Sequence, residues 1–272
     1  MKTIKQVRQR NPLVHHLTND VVVNFSANGL LSFGASPIMA KEIKEVTQIA
    51  QISDALLLNI GTAHQTDIEA MILAGQAANQ KGIPVVLDPV GVAASSFRQE
   101  SVARLLRSVS MTVIKGNAGE IAHLAGHTWK TRGVDSTSGT VEALAGLAQK
   151  VAHTYETIVI VTGPTDIITY PFDDQTTNDS SKQALTNESG LALLTQVTGS
   201  GCLLGSIIAA TLGAVCQDRS VNEMELVQLA TASLDAVRFY GQAAERAAAH
   251  AALKGPASFA LHFIDELSWE GA

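Results

Sequence analysis

The chain has 272 residues, 46% of them hydrophobic and only 4% aromatic, and carries a formal net charge of -6. That length and apolar share allow one sizeable core, and no linker-like stretch divides residues 1–272, so a single domain is expected. The basic residues are scattered without clusters or interleaved aromatics, which excludes the footprint of a nucleic-acid binder, and no apolar run reaches the roughly 18 residues of a membrane span. Met1 to Arg10 is charged and lacks an apolar segment, so no secretory signal is expected. Cys202 and Cys216 show neither C-x-x-C spacing nor a disulfide framework, which fits a reducing, cytoplasmic setting.

In chain order, a helix is expected over 21–31, capped by Asn19 or Asp20 because short polar side chains satisfy the orphan N–H groups of a first turn. His15 and His16, just before it, read as ordinary hydrogen-bonded or exposed histidines, since metal-ligand spacing is absent. An extended piece follows at 35–39. Ala55-Leu56-Leu57-Leu58-Asn59 is a short apolar run ending in polar residues, the pattern of a buried strand opening into a loop. A helix at 66–80 leads to a second such strand, 83–91, with Asp88 at its end. A helix at 97–108, a strand at 111–117 and a helix at 118–124 carrying Glu120 come next. A helix at 138–152 then feeds a strand at 157–163, which turns at Gly163-Pro164 into a partner strand at 166–170. The polar stretch 172–181 reads as a solvated loop, 183–197 as one or two short strands, and 222–252 and 258–267 as the main later helices.

Strands alternating with helices of this length argue for a three-layer α/β architecture around a mostly parallel central sheet. In such sheets ligands sit at the carboxyl ends of the strands. Those ends carry Asn59, Gly61 and Thr62, then Asp88, then Lys115 and Asn117, then Thr162 and Gly163.

Val197-Thr198-Gly199-Ser200-Gly201-Cys202 completes the edge. Two glycines spaced by a hydroxyl residue permit a sharp turn with unhindered N–H groups, and the apolar small-residue run that follows reads as a buried helix. Free N–H groups at a helix start form an anion hole suited to a phosphate or a transferring phosphoryl group. With the strand-end carboxylate Asp88 and the Glu120 of the Asn117-x-x-Glu120 pair as candidate Mg2+ ligands, direct or through water, the constellation points to metal-assisted phosphoryl transfer. At a helix N-terminus the Cys202 thiol is expected to have a lowered pKa, suiting it to take or share the proton of an attacking alcohol. P-loop and protein-kinase motifs are absent, and the G-x-G-x-x-G fingerprint fails because the glycines follow a late strand and continue into Cys202-Leu203-Leu204-Gly205.

The whole pattern resembles the hydroxyethylthiazole kinases. The residues that carry the likeness are Pro12-Leu13-Val14-His15, Thr18-Asn19, Ala27-Asn28, Gly34-Ala35-Ser36-Pro37-Ile38-Met39, Asn59-Ile60-Gly61-Thr62 and Leu87-Asp88-Pro89-Val90-Gly91-Val92. Ile114-Lys115-Gly116-Asn117-Ala118-Gly119-Glu120, Val161-Thr162-Gly163 and the glycine turn extend it over nearly the whole chain. The resemblance implies a ribokinase-like fold and transfer of the ATP γ-phosphate to the alcohol of 4-methyl-5-(2-hydroxyethyl)thiazole, in thiamine salvage. It implies that Met39 and Gly199 contact substrate, that Lys115 and Thr162, with Asn117 nearby, contact ATP, and that Asp88 and Glu120 serve the magnesium and phosphate region. Cys202 stands where other ribokinase-like enzymes place an aspartate base. The resemblance further implies a homotrimer with sites between subunits, in which the Asn19 region serves a neighbour's site. Departures are small: serine at position 200 where threonine is common, a less glycine-rich loop after Asp88-Pro89-Val90, and Ala257 where glycine is common.

Overall fold

The computed structural model describes residues 1–127, 140–172 and 184–271. The polar loop expected at 172–181 and the expected helix start at 138 fall, apart from Phe172, outside them. The described strands are β1 (Leu13–Leu17), β2 (Ser36–Met39), β3 (Ala55–Asn59), β4 (Val85–Asp88), β5 (Val113–Asn117), β6 (Ile158–Thr162), β7 (Asp166–Thr169) and β8 (Leu185–Asn187). They form one sheet in the order β2-β1-β3-β4-β5-β6-β7-β8. Pairing is parallel from β2 to β6, and the last two strands add antiparallel.

Each face of the sheet is covered, as parallel strands buried on both sides require. One face packs against α1 (Lys2–Arg10), α2 (Val23–Phe33), α8 (Ser200–Cys216), α9 (Leu226–Ala248) and α10 (Pro256–Glu266), through Val14, Leu57, Val86, Val113 and Ile160. The other packs against α3 (Val46–Ile52), α4 (Gln65–Lys81), α5 (Ser96–Ser108), α6 (Ala118–Leu124) and α7 (Val141–Tyr155), through Leu56, Leu58, Leu87, Ile114 and Val159. Chain direction across the sheet reverses between β1 and β3, the switch point at which open α/β sheets form a crevice.

α8 lies almost wholly buried against the sheet. Its small residues let it approach closely: a Cβ at Gly213 would stand 3.1 Å from the carbonyl oxygen of Asp54. Its polar members Thr211 and Ser206 do not stand open, since Thr211 Oγ1 donates to the Ile207 carbonyl and Ser206 Oγ bonds His16 Nε2. At the far end, Gln6 and Arg10 of α1 donate to the Ala214 carbonyl, placing a cation at the negative helix terminus.

Several expectations are corrected. α1 and β1 were not anticipated. α1 buries only Ile4 and Val7, too few positions to display a helical stripe, and the two histidines of β1 mask a buried strand inside the sheet, next to its edge. Of the two alternatives for His15 and His16 the hydrogen-bonded one holds: both are buried, His15 on the Ala40 carbonyl and His16 on the Val14 carbonyl and the Ser206 hydroxyl. α2 begins at Val23 with Val22 as its cap and no side-chain capping bond. Asn19 and Asp20 are engaged elsewhere, with Asn59 and Lys41 respectively. Residues 184–197 hold one strand, β8, within the one or two expected, followed by a 3-10 turn at Ala192–Gln196. The helix expected from 222 begins instead at Leu226, after a separate 3-10 turn at Val221–Glu223.

Candidate active site

The carboxyl ends of β1, β3, β4 and β5 and the start of α8 converge on one buried cluster. Asn19, just past β1, donates from Nδ2 to Asn59 Oδ1 at 2.9 Å and to Cys202 Sγ at 3.4 Å. Asn59, the last residue of β3, donates to Asp88 Oδ2 at 3.1 Å and to Cys202 Sγ at 3.2 Å. Lys115 on β5 reaches Asp88 Oδ2 at 2.8 Å and the Gly201 carbonyl at 3.0 Å. The switch-point strands thus deliver two asparagines, the next strand a carboxylate, the next an ammonium, and α8 a thiol.

Gly199 makes the turn possible. It caps α8 with φ 91°, the left-handed region that a side chain resists, and a Cβ there would stand 2.8 Å from Val22 Cγ1. Ser200 N and Leu203 N bond the Val197 and Gly199 carbonyls, while among the described residues the N–H groups of Gly201 and Cys202 have no acceptor. They stand at the positive end of a 17-residue helix. Ser200 itself is held by its hydroxyl on the Leu194 carbonyl and by Tyr240, whose hydroxyl donates to the Ser200 carbonyl.

Burial pushes the Asp88 carboxyl up against the opposing pull of Lys115 and Asn59. Burial also works against the Lys115 charge, but Asp88 and Glu120 outweigh it and hold the ammonium above its usual range. Cys202 corrects an expectation. It sits at the helix start as anticipated, yet burial first and the Asp88 charge second raise its thiol pKa, outweighing Lys115 and the amide donors. Near neutral pH the sulfur therefore carries its proton.

The neighbouring corner is built differently. Asn117 caps α6 by accepting from the Glu120 N–H, and Glu120 Oε2 accepts from the Asn117 N–H, a reciprocal capping box. Glu120 Oε1 accepts from Gly91 N–H and so pins the loop after β4. A cavity of about 800 Å3 opens beside Glu120 and Asn117, bordered also by Gly91, Gln99, His123 and His127. Thr162 pairs in register with Asn117 on the adjoining strand. Met39 ends the edge strand β2, opposite His16 of β1. Met39 and Thr162 are thus separated by five strand spacings, or about 24 Å along the carboxyl edge.

Of the expected site residues, Asn19, Asp88, Lys115, Gly201 and Cys202 share one cluster, Gly199 and Ser200 support it, Asn117 and Glu120 adjoin it, and Met39 and Thr162 flank it. Asn19 bonds Asn59 and Cys202 of its own chain. Sequence reading placed Asn59 on this edge without a role, and it missed Arg98. From α5, Arg98 donates to the carbonyls of Ile60, Gly61 and Val90, tying together the loops after β3 and β4. No sequence pattern announces such a contact.

Asp88 fits a divalent cation that arrives with a nucleotide. Both hydrogen bonds it accepts end on Oδ2, leaving Oδ1 as an uncommitted hard oxygen donor. Among the described residues no group of three or more His, Cys, Asp or Glu forms an all-protein cage, and Mg2+ characteristically keeps waters and phosphate ligands.

The architecture is a ribokinase-like α/β fold. A ribokinase-like superfamily protein from Enterococcus faecalis superposes with a TM-score of 0.62 at 12% identity, covering 97% of this chain and 88% of its own. A hydroxyethylthiazole kinase from Pyrococcus horikoshii superposes with a TM-score of 0.79 at 33% identity, over 98% and 91% of the two chains. Residues 4–269 match the model of the hydroxyethylthiazole kinase family. Hydroxyethylthiazole kinase 1 of Oceanobacillus iheyensis is 50% identical over 266 residues, 97% of this chain and 94% of the relative. The chain belongs to the hydroxyethylthiazole kinase family, a family of kinases. No described helix is long and apolar enough to cross a membrane.

Proposed function

We propose that the protein phosphorylates the hydroxyl of 4-methyl-5-(2-hydroxyethyl)thiazole with ATP, a thiamine-salvage reaction, within a single ribokinase-like domain. Beyond family membership, the observation that carries this reading is the pair of free N–H groups of Gly201 and Cys202 beside the Asp88–Lys115 pair. Preorganised donors of this kind stabilise charge on a transferring phosphoryl group. The alcohol oxygen attacks the γ-phosphorus as its bond to the ADP oxygen breaks, and ADP leaves. In a loose transition state the attacking hydroxyl gains acidity late, so its proton passes to a phosphoryl oxygen and then to water. Cys202, protonated by virtue of its raised pKa, orients the alcohol and does not abstract its proton.

Lys115 and the turn amides bind phosphate, Thr162 and Asn117 lie toward the nucleotide, and Met39, Gly199 and Asn19 contact the acceptor. Asp88, through its uncommitted Oδ1, would hold Mg2+, and Glu120, whose two oxygens each already accept a backbone N–H, would act through water; the ion would supply charge neutralisation to the phosphates. A homotrimer with sites near subunit boundaries is part of this reading. It is supported by the edge strand β2, whose outer side no other described strand pairs, and by the exposed apolar Val21 and Leu31, 66% and 58% accessible, at the two ends of the neighbouring α2 region.

The test is ADP release with Mg·ATP against the thiazole alcohol, a hydroxymethylpyrimidine, pyridoxine and ribose. Turnover confined to the thiazole alcohol is expected. Turnover of another acceptor alone, or of none by folded protein that binds ATP, contradicts the reading.

A further inference from the structure

Asn59 is 1% exposed and uses all of its side-chain hydrogen-bonding groups. Its Oδ1 accepts from Gly61 N–H at 3.0 Å as well as from Asn19. A backbone N–H can only donate, so the atom facing it is the amide oxygen, and this fixes which way the amide lies. Nδ2 is thereby directed at Asp88 Oδ2 and Cys202 Sγ, one proton for each. Asn19 Nδ2 is likewise divided between Asn59 Oδ1 and the same sulfur.

Cys202 Sγ therefore receives two amide N–H donors, which occupy its two lone pairs. The S–H has no acceptor among the described residues. We infer that Asn59, assisted by Asn19, is a positioning residue that locks the Cys202 sulfur so that its S–H is the group left to meet the oxygen of the acceptor alcohol. Through its second proton the same amide ties that sulfur to Asp88, so the acceptor side and the phosphate side of the site are held in one fixed relation. Van der Waals bulk alone would not do this, because a leucine of similar size would fill the space and leave the thiol free to rotate.

The inference rests on the thiazole kinase reading, and a double-variant cycle separates the two. Steady-state kinetics with Mg·ATP and the thiazole alcohol are measured for wild type, Asn59→Ala, Cys202→Ala and the combined variant. Asn59→Ala is expected to lower kcat by about tenfold, the scale of one lost positioning bond, with KM for ATP within about twofold. In the Cys202→Ala background the same change is expected to cost less than about twofold, since a residue acting through the thiol has nothing left to position. Should Asn59→Ala fail to fold, Asn59→Ser enters the same cycle. It removes one of the sulfur's donors, with an expected loss of about threefold that again vanishes without the thiol.

Losses that multiply across the two backgrounds, a change in KM alone, or a Cys202→Ala enzyme as fast as wild type would overturn the inference while leaving the thiazole kinase reading standing. A folded wild type that does not turn over the thiazole alcohol overturns that reading, and the inference with it.

Discussion

Two groups of polar residues sit side by side on the carboxyl edge of this sheet, and they spend their hydrogen bonds in opposite ways. In the cluster of Asn19, Asn59, Asp88, Lys115 and Cys202, side chains bond mainly one another, across four strands and a helix. In the Asn117–Glu120 corner they bond back to the main chain, as a helix cap and a loop anchor. The first arrangement stores charge and donors in a buried place, with Asp88 Oδ1 and two α8 amides uncommitted. The second fixes backbone. A carboxylate on this edge can thus be a reactive component or scaffolding, and the neighbouring residues decide which.

The sharpest way to break this contrast is at the turn that supplies the free amides. Gly199→Val demands φ near 91° of a branched side chain and collides with Val22. With two donors displaced, kcat is expected to fall by on the order of a thousandfold or more. Measurement in protein shown to be folded by circular dichroism checks this, and a wild-type kcat would remove the anion-hole account. Next comes the ion pair. Lys115→Met leaves Asp88 buried without its cation, and destabilisation of about 3–5 kcal/mol is expected in urea unfolding. A loss below about 1 kcal/mol would show that the pair is hydrated, not buried.

A third prediction concerns the face of β1 against α8. His16 Nδ1 donates to the Val14 carbonyl, Nε2 meets the Ser206 hydroxyl, and burial keeps the ring neutral. Burial lowers its pKa to about 4. The unfolded chain, with an ordinary histidine, takes up a proton first as pH falls, so stability is full above about pH 6.5 and decreases toward pH 4. The His16 share is about 3 kcal/mol, and His16→Gln is expected to flatten that part of the urea midpoint profile. An unchanged slope would contradict the buried neutral ring. The smallest effect belongs to the corner: Glu120→Gln leaves one amide oxygen where two carboxylate oxygens accepted, so one of the Gly91 and Asn117 N–H groups loses its acceptor. The expected cost is about tenfold or less in kcat.

Much of this was legible in the sequence, for identifiable reasons. Buried parallel strands are continuous apolar runs, so β3 to β6 declared themselves, and the helix at Ala118–Leu124 coincided with its expected span. Polar residues closing such runs marked Asn59, Asp88, Lys115 and Asn117 as one edge, and the glycine turn marked the start of α8. What stayed hidden depended on long-range contact. β1 carries buried histidines whose partners, Ala40 and Ser206, lie far along the chain. The direction of the Cys202 pKa shift followed from burial and Asp88, neither visible in the local helix start. Arg98 acts on carbonyls, which every residue possesses.

The central claim is that the Asp88 cluster carries the chemistry while the Glu120 corner holds the loop. The Mg2+ dependence of kcat, at saturating ATP and thiazole alcohol, tests it most directly in wild type, Asp88→Asn and Glu120→Gln. The account predicts that Asp88→Asn both lowers kcat by about a hundredfold or more and raises the Mg2+ requirement, whereas Glu120→Gln shifts that requirement by no more than about threefold. An Asp88→Asn enzyme with a wild-type Mg2+ curve, beside a Glu120→Gln enzyme with a strongly displaced one, would reverse the assignment.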